Sequence, residues 1–436
     1  MIGPMSDKVC VLPFTHLHIR SNGRPQVCCA FEGGLWKKDG HHWSVYGDPL
    51  DAIWNSDEMV TIRRDMVEGK EVAGCEYCNR IERLGGRSKR MAENVEWAAK
   101  TGGDELLSVD SLVRRSVASG YRMEGPASYQ LDIGNLCNLK CRMCNGLSSS
   151  RIQRDPIQQK WASQWTEEVE PVPHNRFAGS AHWFQQKEFV VGELLRNPEQ
   201  VKNLYILGGE PFLIREVGDV IQILVDAGAA RNITLCFNTN GTIARPRWLG
   251  LAKEFKQLNL WISVDGEGKH YEYIRHPARW SKLVENLAEY RKIPNACCSI
   301  SITVQAYNVL HLPKLFRYLD AHGLPFGAAS LLYPRYLRPT VLPPTVRRLA
   351  SERLRAYADE CASETNRGTA LGLASELDAD GSEIDHEQLR ELMLFTNDLD
   401  SSRGQSLAAL EPNLIPLIRD AGFPWTLETV HAAPLV

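Results

Sequence analysis

Three cysteines fall within the short stretch "CNLKCRMC", at Cys137, Cys141 and Cys144. Thiolates bind zinc and iron–sulfur clusters, and either a closed tetrahedral metal site or a [4Fe–4S] cube normally takes four ligands. No fourth cysteine lies nearby in the sequence. The loop therefore predicts a cluster with three protein ligands and one iron left open. An incomplete zinc site and chance spacing are the alternatives.

This spacing, at the end of a predicted strand, resembles the cluster loop of the radical S-adenosylmethionine (SAM) superfamily. The resemblance implies that the open iron binds the amino and carboxylate groups of SAM. One-electron cleavage then yields a 5′-deoxyadenosyl radical, which takes hydrogen from an unactivated carbon. It also implies a flavodoxin- or ferredoxin-type electron donor. Met143 stands where the family often has an aromatic residue, and it becomes a candidate backbone contact for adenine.

Later strand ends carry motifs that resemble the family's SAM contacts. "LGGEPFL" resembles the GGE motif that contacts the methionine amino group, and it spans Gly208, Gly209, Glu210 and Pro211. We expect the Glu210 carboxylate to lie outside the core, because it follows a Gly-rich turn. The remaining candidates are Thr239, Asn240, Ser263, Asp265, Arg275, Val304 and Gln305. Ordinary turns at Asn-Gly and Asp-Gly, and a solvated helix arginine, are the alternatives.

A second set of cysteines precedes this core. Cys10, Cys28 after Gly23 in a Gly-x4-Cys hairpin, and Cys75-x2-Cys78 resemble the auxiliary-cluster half of the SPASM/twitch family. The resemblance implies one further [4Fe–4S] cluster with these four ligands, placed unusually before the core. Structural zinc is an alternative, and Cys29 is an alternative to Cys28. Histidines in "THLHIR" alternate as in a strand with one polar face.

The elements that position these residues are strands alternating with helices from residue 128. The runs "YQLDIGN", "NLYILGG", "ITLCFNTNG", "LNLWISVDG", "CSISITVQ" and "FGAASLLY" predict strands, separated by amphipathic segments. Such alternation predicts an α/β fold with a parallel sheet, here a six-stranded partial (βα)6 barrel of the radical SAM type. Chemistry gathers at the C-terminal strand ends of such sheets, and each motif lies there.

Three regions follow from this pattern. Residues 1–127 are predicted to form a small twitch-like cluster module, 128–340 the partial barrel, and 341–436 a helical extension. The polar stretch "ASELDADGSEIDHEQ" is expected to be a mobile loop. Residues 150–182 are an insertion that, with Tyr333 and Arg335, we expect to shape the substrate pocket.

Composition narrows the class of protein. The hydrophobic fraction of 43% and charged fraction of 24% are ordinary for a globular enzyme, and the net charge of −3 gives no reason to expect nucleic acid or membrane partners. With no long apolar run and no signal-peptide core, we expect a cytoplasmic protein, whose twelve cysteines are not a disulfide framework. The cysteines at positions 236, 297, 298 and 361 are expected to be small buried hydrophobes.

The resemblance implies a radical SAM oxidoreductase that acts on a peptide or peptide-like natural product, with net oxidation favoured. An epimerase or dehydrogenase of a sugar or aminocyclitol is an alternative. A two-cluster electron carrier and a zinc-stabilised binding protein with a degenerate barrel are alternatives from other classes. The GGE and "NTNGT" motifs argue against a carrier, because a carrier needs no pocket for SAM.

Overall fold

The fold is built around one twisted sheet. The computed structural model describes residues 6–83, 86–161, 177, 182–379 and 384–426. Within these ranges the sheet has eight strands in the order β2-β1-β3-β4-β5-β6-β7-β8. The strands are β1 (His16–Ile19), β2 (Pro25–Gln26), β3 (Ser128–Asp132), β4 (Asn203–Leu207), β5 (Thr234–Thr239), β6 (Gln257–Ser263), β7 (Ala296–Val304) and β8 (Phe326–Ser330).

The six predicted strands are confirmed as β3 to β8, all parallel and in sequence order. The N-terminal region adds two strands that were not predicted as part of this sheet. β1 pairs in parallel with β3, and β2 pairs antiparallel with β1 across the turn at Gly23. The N-terminal region therefore continues the barrel sheet, and hydrogen bonds cross the predicted boundary at residue 128.

The two faces of the sheet differ in polarity because side chains alternate along each strand. One face carries buried apolar side chains, such as Leu131, Ile206 and Leu260, which pack against the surrounding helices. The other face carries polar side chains in register across the strands. One such row runs through His18, Gln130, Tyr205, Cys236, Asn259 and Cys297. The concave face of the barrel is thus polar.

Helices connect the strands and cover the apolar face. Between β3 and β8 these are α7 (Ser150–Gln153), α8 (Pro156–Gln159), α9 (Lys187–Phe189), α10 (Arg215–Asp226), α11 (Pro246–Ala252), α12 (Lys269–Ile274), α13 (Trp280–Tyr290) and α14 (Leu312–Ala321). Before β3 lie α1 (Leu12–Thr15), α2 (Leu50–Trp54), α3 (Asp57–Val67), α4 (Glu76–Arg83), α5 (Lys89–Lys100) and α6 (Val109–Ala118).

The C-terminal region is helical, as predicted. It contains α15 (Pro344–Glu360), α16 (Glu364–Ala379), α17 (His386–Arg403), α18 (Leu407–Leu410) and α19 (Leu414–Asp420). The predicted loop over "ASELDADGSEIDHEQ" is wrong for its two ends, because α16 continues through Ala379 and α17 begins at His386. Buried Ala374 and Leu377 explain the longer helix, since they place an apolar stripe within the polar stretch. Residues 380–383 lie outside the described ranges.

None of the helices in the described ranges is both long and apolar enough to cross a membrane.

Candidate active site

A cavity of about 640 Å³ lies at the carboxyl ends of the strands, on the polar face of the sheet. The three cysteines of the loop line it together with most of the other predicted contacts. These predicted residues are Cys137, Cys141, Met143, Cys144, Gly208, Gly209, Thr239, Asn240, Ser263 and Arg275. The chain thus brings into one cavity residues that are up to 138 positions apart, from Cys137 to Arg275.

Backbone hydrogen bonds fix the loop that carries the cysteines. The amide of Lys140 donates to the carbonyl of His276 at 2.6 Å, and the amide of Arg142 donates to that of Ile274 at 2.9 Å. The side chain of Gln158 donates to the carbonyl of Cys141 at 3.2 Å. The loop is therefore held from both sides, by the segment after α12 and by α8.

The three thiols differ in how easily they ionise. A hydrogen bond from Cys144 lowers the pKa of the Cys141 thiol, and the nearby Arg275 guanidinium lowers it further against the effect of burial. Burial raises the pKa of Cys137 to about 12. Iron binding requires thiolates, so cluster assembly at this loop must release protons.

The two glycines of the GGE motif make room for the loop. Gly208 and Gly209 have positive φ values of 94° and 50°. A Cβ atom on Gly209 would overlap the carbonyl oxygen of Leu136, and one on Gly208 would lie 3.0 Å from that of Gly134. Only glycine allows the turn after β4 to approach the loop after β3 this closely.

Glu210 is completely buried, so the prediction that its carboxylate lies outside the core is wrong. Its Oε1 accepts hydrogen bonds from the Phe212 amide at 3.1 Å and the Thr239 hydroxyl at 2.8 Å. Its Oε2 accepts one from the Asn240 amide at 2.7 Å. The carboxylate therefore ties the end of β5 to the turn after β4. Contact of Glu210 with SAM stays a prediction.

Burial raises the pKa of Glu210 to about 7. Because the folded-state pKa is raised, the folded state binds this proton more tightly than the unfolded state, and stability falls as pH rises from about 4.5 to about 7. Over this pH interval, we expect the free energy of unfolding of Glu210→Gln to rise by about 3 kcal/mol relative to that of the wild type, because each pKa unit corresponds to about 1.36 kcal/mol. Urea unfolding at pH 4.5 and 7.5 measures the difference. Glu254→Gln, at an exposed position, is the control. A Glu210→Gln profile parallel to that of the wild type would contradict the prediction.

Arg275 is not a solvated helix arginine. Only 7% of its side chain is exposed, and its Nε lies 2.8 Å from Oδ2 of Asp265. Burial lowers and Asp265 raises the pKa of Arg275, and the net shift is upward, so the guanidinium stays charged. Asp265 also accepts the Thr303 amide at 2.8 Å. The aspartate is fully buried and anchors the arginine, which faces the cavity.

The other predicted contacts differ in whether they line the cavity. Asn240 lines the cavity, and its side chain donates to Oδ1 of Asn138 at 2.9 Å and lies 3.9 Å from the sulfur of Cys137. Pro211, Val304 and Gln305 are buried and do not line the cavity within the described residues. Oε1 of Gln305 is buried without a hydrogen-bond partner among those residues, so it keeps a free acceptor beside the site.

Asp132 and His18 were missed by the sequence analysis. Asp132 lines the cavity at the end of β3, and its Oδ2 lies 3.1 Å from Nε2 of His18 on the neighbouring strand β1. Oδ1 of Asp132 and Nδ1 of His18 are buried without hydrogen-bond partners in the described part of the chain. The sequence contained one indication that Asp132 lies at the site: it is the last residue of the strand that leads into the cysteine loop.

The four N-terminal cysteines influence one another electrostatically. Burial raises the pKa of Cys10, and the thiols of Cys28 and Cys75 raise it further. Burial likewise raises the pKa of Cys28 to about 12 and that of Cys75 to about 11, the latter with a further increase from Cys78. Cys10 and Cys78 are buried, and Cys28 and Cys75 are partly buried. The effects of Cys28 and Cys75 on Cys10, and of Cys78 on Cys75, indicate that the four predicted ligands lie near one another.

Cys29 is exposed and lines a separate surface cavity with Lys89. Among the cysteines expected to be buried, those at positions 236, 298 and 361 are buried. Cys297 is exposed, so that expectation is wrong for it. The reason is the alternation along β7, which turns Cys298 into the core and Cys297 to the polar face.

Of the predicted pocket residues, Tyr333 lines the cavity and Arg335 does not.

The described residues contain no group of three or more His, Cys, Asp or Glu side chains placed to hold a single metal ion. Thiolates are the usual ligands of iron–sulfur clusters, in which each thiolate binds its own iron. The three-thiol loop, the glycine cradle and the anchored Arg275 fit a cluster that also binds SAM.

Two family models match the chain. Residues 131–319 match the radical SAM superfamily, and residues 10–79 match the SPASM iron–sulfur cluster-binding domain. The predicted family resemblance is thereby confirmed, including the position of the cluster domain before the core. No curated protein matches the chain.

Solved structures give more distant matches. Native anSMEcpe with bound AdoMet and Cp18Cys peptide is 18% identical, with a TM-score of 0.30 over 38% of this chain and 48% of its own. Native anSMEcpe with bound AdoMet is 17% identical, with a TM-score of 0.37 over 64% and 66%. Streptococcus suis SuiB bound to S-adenosylmethionine is 13% identical, with a TM-score of 0.38 over 83% and 71%. The chain thus covers about half to two thirds of the first structures that it matches.

Proposed function

We propose that this chain, a radical SAM enzyme with a SPASM-type iron–sulfur domain, cleaves SAM reductively and removes hydrogen from an unactivated carbon of a peptide or peptide-like natural product. The observation that carries the proposal is the single cavity lined by three cysteines of one loop, by two glycines and by a buried, charged arginine. The cluster and SAM, when bound there, supply a 5′-deoxyadenosyl radical.

The residues of the chain have the roles of binding and orienting SAM. Cys137, Cys141 and Cys144 would ligate three irons of the cluster and leave the fourth for SAM. Arg275, held in place by Asp265, offers two parallel N–H donors of the kind that suit a carboxylate.

The polar face of the sheet is the proposed substrate surface. At the carboxyl ends of the strands this face lines the cavity with the polar side chains of Asp132, Asn238, Ser263 and Thr303. Such a surface suits a substrate rich in amide or hydroxyl groups, because buried polar groups require partners. A peptide meets that requirement, and so does a sugar or aminocyclitol, which is the second candidate.

Net oxidation would remove a hydrogen atom, then one electron and one proton from the substrate. A cluster held by the N-terminal cysteines would supply an acceptor for the electron. Asp132 is the proposed proton acceptor, because its Oδ1 faces no partner within the described residues and its Oδ2 is paired with His18. The 3.1 Å contact with His18 holds the Asp132 carboxylate next to the cavity, where it would act as the base.

The expected product of the enzyme is two hydrogens lighter than its substrate. Cells that carry the gene, compared with cells that lack it and grown in parallel, should contain such a product by mass spectrometry of their peptides and small metabolites. Asp132→Asn should lower its yield by about 100-fold or more, the typical contribution of a positioned acid or base. His16→Gln is the control, because His16 lies on the same strand and face as His18, the partner of Asp132, but bonds to Ser128 instead.

Heavy water distinguishes oxidation from epimerisation. A redox-neutral epimerisation leaves the mass unchanged in ordinary water and introduces one solvent deuterium in heavy water. A product that gains one deuterium and loses no hydrogens would refute the oxidation and favour the epimerase alternative.

A further inference from the structure

The cysteine loop is braced by a helix that neither family model covers. The two matches end at residues 79 and 319, whereas α17 spans His386–Arg403. Arg142, which lies between Cys141 and Cys144, has a completely buried side chain. Its Nη2 lies 2.5 Å from Oδ1 of Asp400 on α17. The loop and the C-terminal region therefore meet at a buried ion pair.

Several further contacts fix Arg142 in this position. Its Nη2 donates to Oε1 of Gln405 at 3.1 Å, and its Nε donates to the carbonyl of Tyr273 at 3.1 Å. The guanidinium lies 3.6 Å from the ring centroid of Tyr273 and 5.3 Å from that of Tyr307. Cation–π contacts of this kind strengthen when water is excluded. The arginine is thus held on its edge by oxygen atoms and on its face by two rings.

The partner aspartate is itself anchored. Oδ2 of Asp400 accepts the Leu407 amide at 2.7 Å, so the carboxylate cannot follow the arginine if the loop shifts. A second connection joins α17 to the loop through Gln158. Its Oε1 accepts from Arg403 at 2.9 Å, and its Nε2 donates to the carbonyl of Cys141 at 3.2 Å. Both connections end at residues next to, or identical with, the predicted iron ligands.

We propose that α17 is a positioning element for the SAM-cleaving cluster, with Asp400 acting through Arg142 to set the spacing of Cys141 and Cys144. The proposal rests on the proposed function in that the loop holds a cluster. Without Asp400, Arg142 would be a buried charge without a compensating anion, and it would have to leave the interior. Because Arg142 lies between two ligands, its movement displaces both thiols. Asp400 and Arg142 are positioning residues.

The test compares reconstituted wild type with Asp400→Asn and with Asp398→Asn. The control residue Asp398 lies on the same helix but pairs with Lys160 at 2.9 Å and Trp161 at 3.0 Å, away from Arg142. Removal of groups that orient metal ligands typically costs about 10-fold to 100-fold in metal affinity or activity. We expect Asp400→Asn to lose iron from the loop to a chelator about 10-fold or more faster than Asp398→Asn. Electron paramagnetic resonance of the reduced protein should show a weakened response to added SAM.

The cluster of the N-terminal cysteines is an internal control, because it should keep its iron in both variants. If Asp400→Asn does not fold, the double variant Arg142→Met with Asp400→Leu removes both charges and avoids the unpaired one. It should fold and still show faster iron loss and a weakened SAM response. Iron loss and spectra equal to those of Asp398→Asn, in whichever variant folds, would overturn the proposal. Failure of the proposed function is distinguishable, since the wild type itself would then not cleave SAM.

Discussion

Simultaneous substitution of Cys137, Cys141 and Cys144 by alanine is expected to abolish formation of 5′-deoxyadenosine and to leave the N-terminal cluster in place. The three thiols line one cavity, and the loop provides no other thiol there within the described residues. An iron–sulfur cluster is held by its thiolates, so the variant has no means to retain this one. Its iron content should fall by about half, because one of two four-iron clusters remains.

The measurement is chromatographic quantification of 5′-deoxyadenosine after reduction with dithionite, together with iron and sulfide per chain. The matched control replaces the buried cysteines at positions 298 and 361 by alanine, since these lie outside both the cavity and the polar row of the sheet. The control should keep both its iron and its SAM cleavage. SAM cleavage by the variant that lacks the three loop cysteines would refute the assignment of the loop.

Removal of the N-terminal cluster should separate SAM cleavage from product formation. The double variant Cys10→Ala with Cys75→Ala removes two of the four predicted ligand thiols, which lie near one another. SAM cleavage should continue, because the cavity keeps its own cysteines. The product that is two hydrogens lighter should disappear, because the electron left on the substrate has no acceptor when this cluster is absent.

Cys29→Ala is the matched control for this variant and also decides which adjacent cysteine is a ligand. Cys29 is exposed, whereas Cys28 is partly buried and influences Cys10 electrostatically. We therefore expect Cys29→Ala to keep the iron of both clusters and Cys28→Ala to lose that of one. Continued formation of the oxidised product by the Cys10 and Cys75 double variant would contradict the role of electron acceptor.

The strands of the barrel were predictable because each combines a short apolar run with a turn motif. Their order along the chain is also their order in the sheet, so local pattern was sufficient. β1 was predicted as a strand, but its partner was not. It pairs with β3, about 112 residues later in the chain, and alternation within four residues carries no information about that partner.

The candidate site was predictable where one motif contains the chemistry. The cysteine loop and the glycines are short patterns with a spacing that the reaction requires, and they do line one cavity. Glu210 was misjudged because its burial depends on hydrogen bonds from Thr239 and Asn240, on the next strand. Sequence pattern places a residue at a strand end, but it does not tell which neighbouring loop closes over it.

Long-range charge pairs could not be predicted from the sequence for the same reason. Arg142 appears in the sequence as one of many arginines, and its partner Asp400 lies 258 residues away on a helix outside the barrel. The pair of Asp132 and His18 connects two strands that are adjacent only in the folded sheet. In each case the functional inference came from burial and distance, which depend on tertiary packing.

The most direct test of the central claim is SAM cleavage by the wild-type protein. The reconstituted enzyme, loaded with both clusters and reduced with dithionite, is incubated with SAM, and 5′-deoxyadenosine and methionine are quantified. We expect both to form in equal amounts and neither to form when dithionite is omitted. A protein that carries its full complement of iron and sulfide and yet produces no 5′-deoxyadenosine under these conditions would show that the chain is not a SAM-cleaving enzyme.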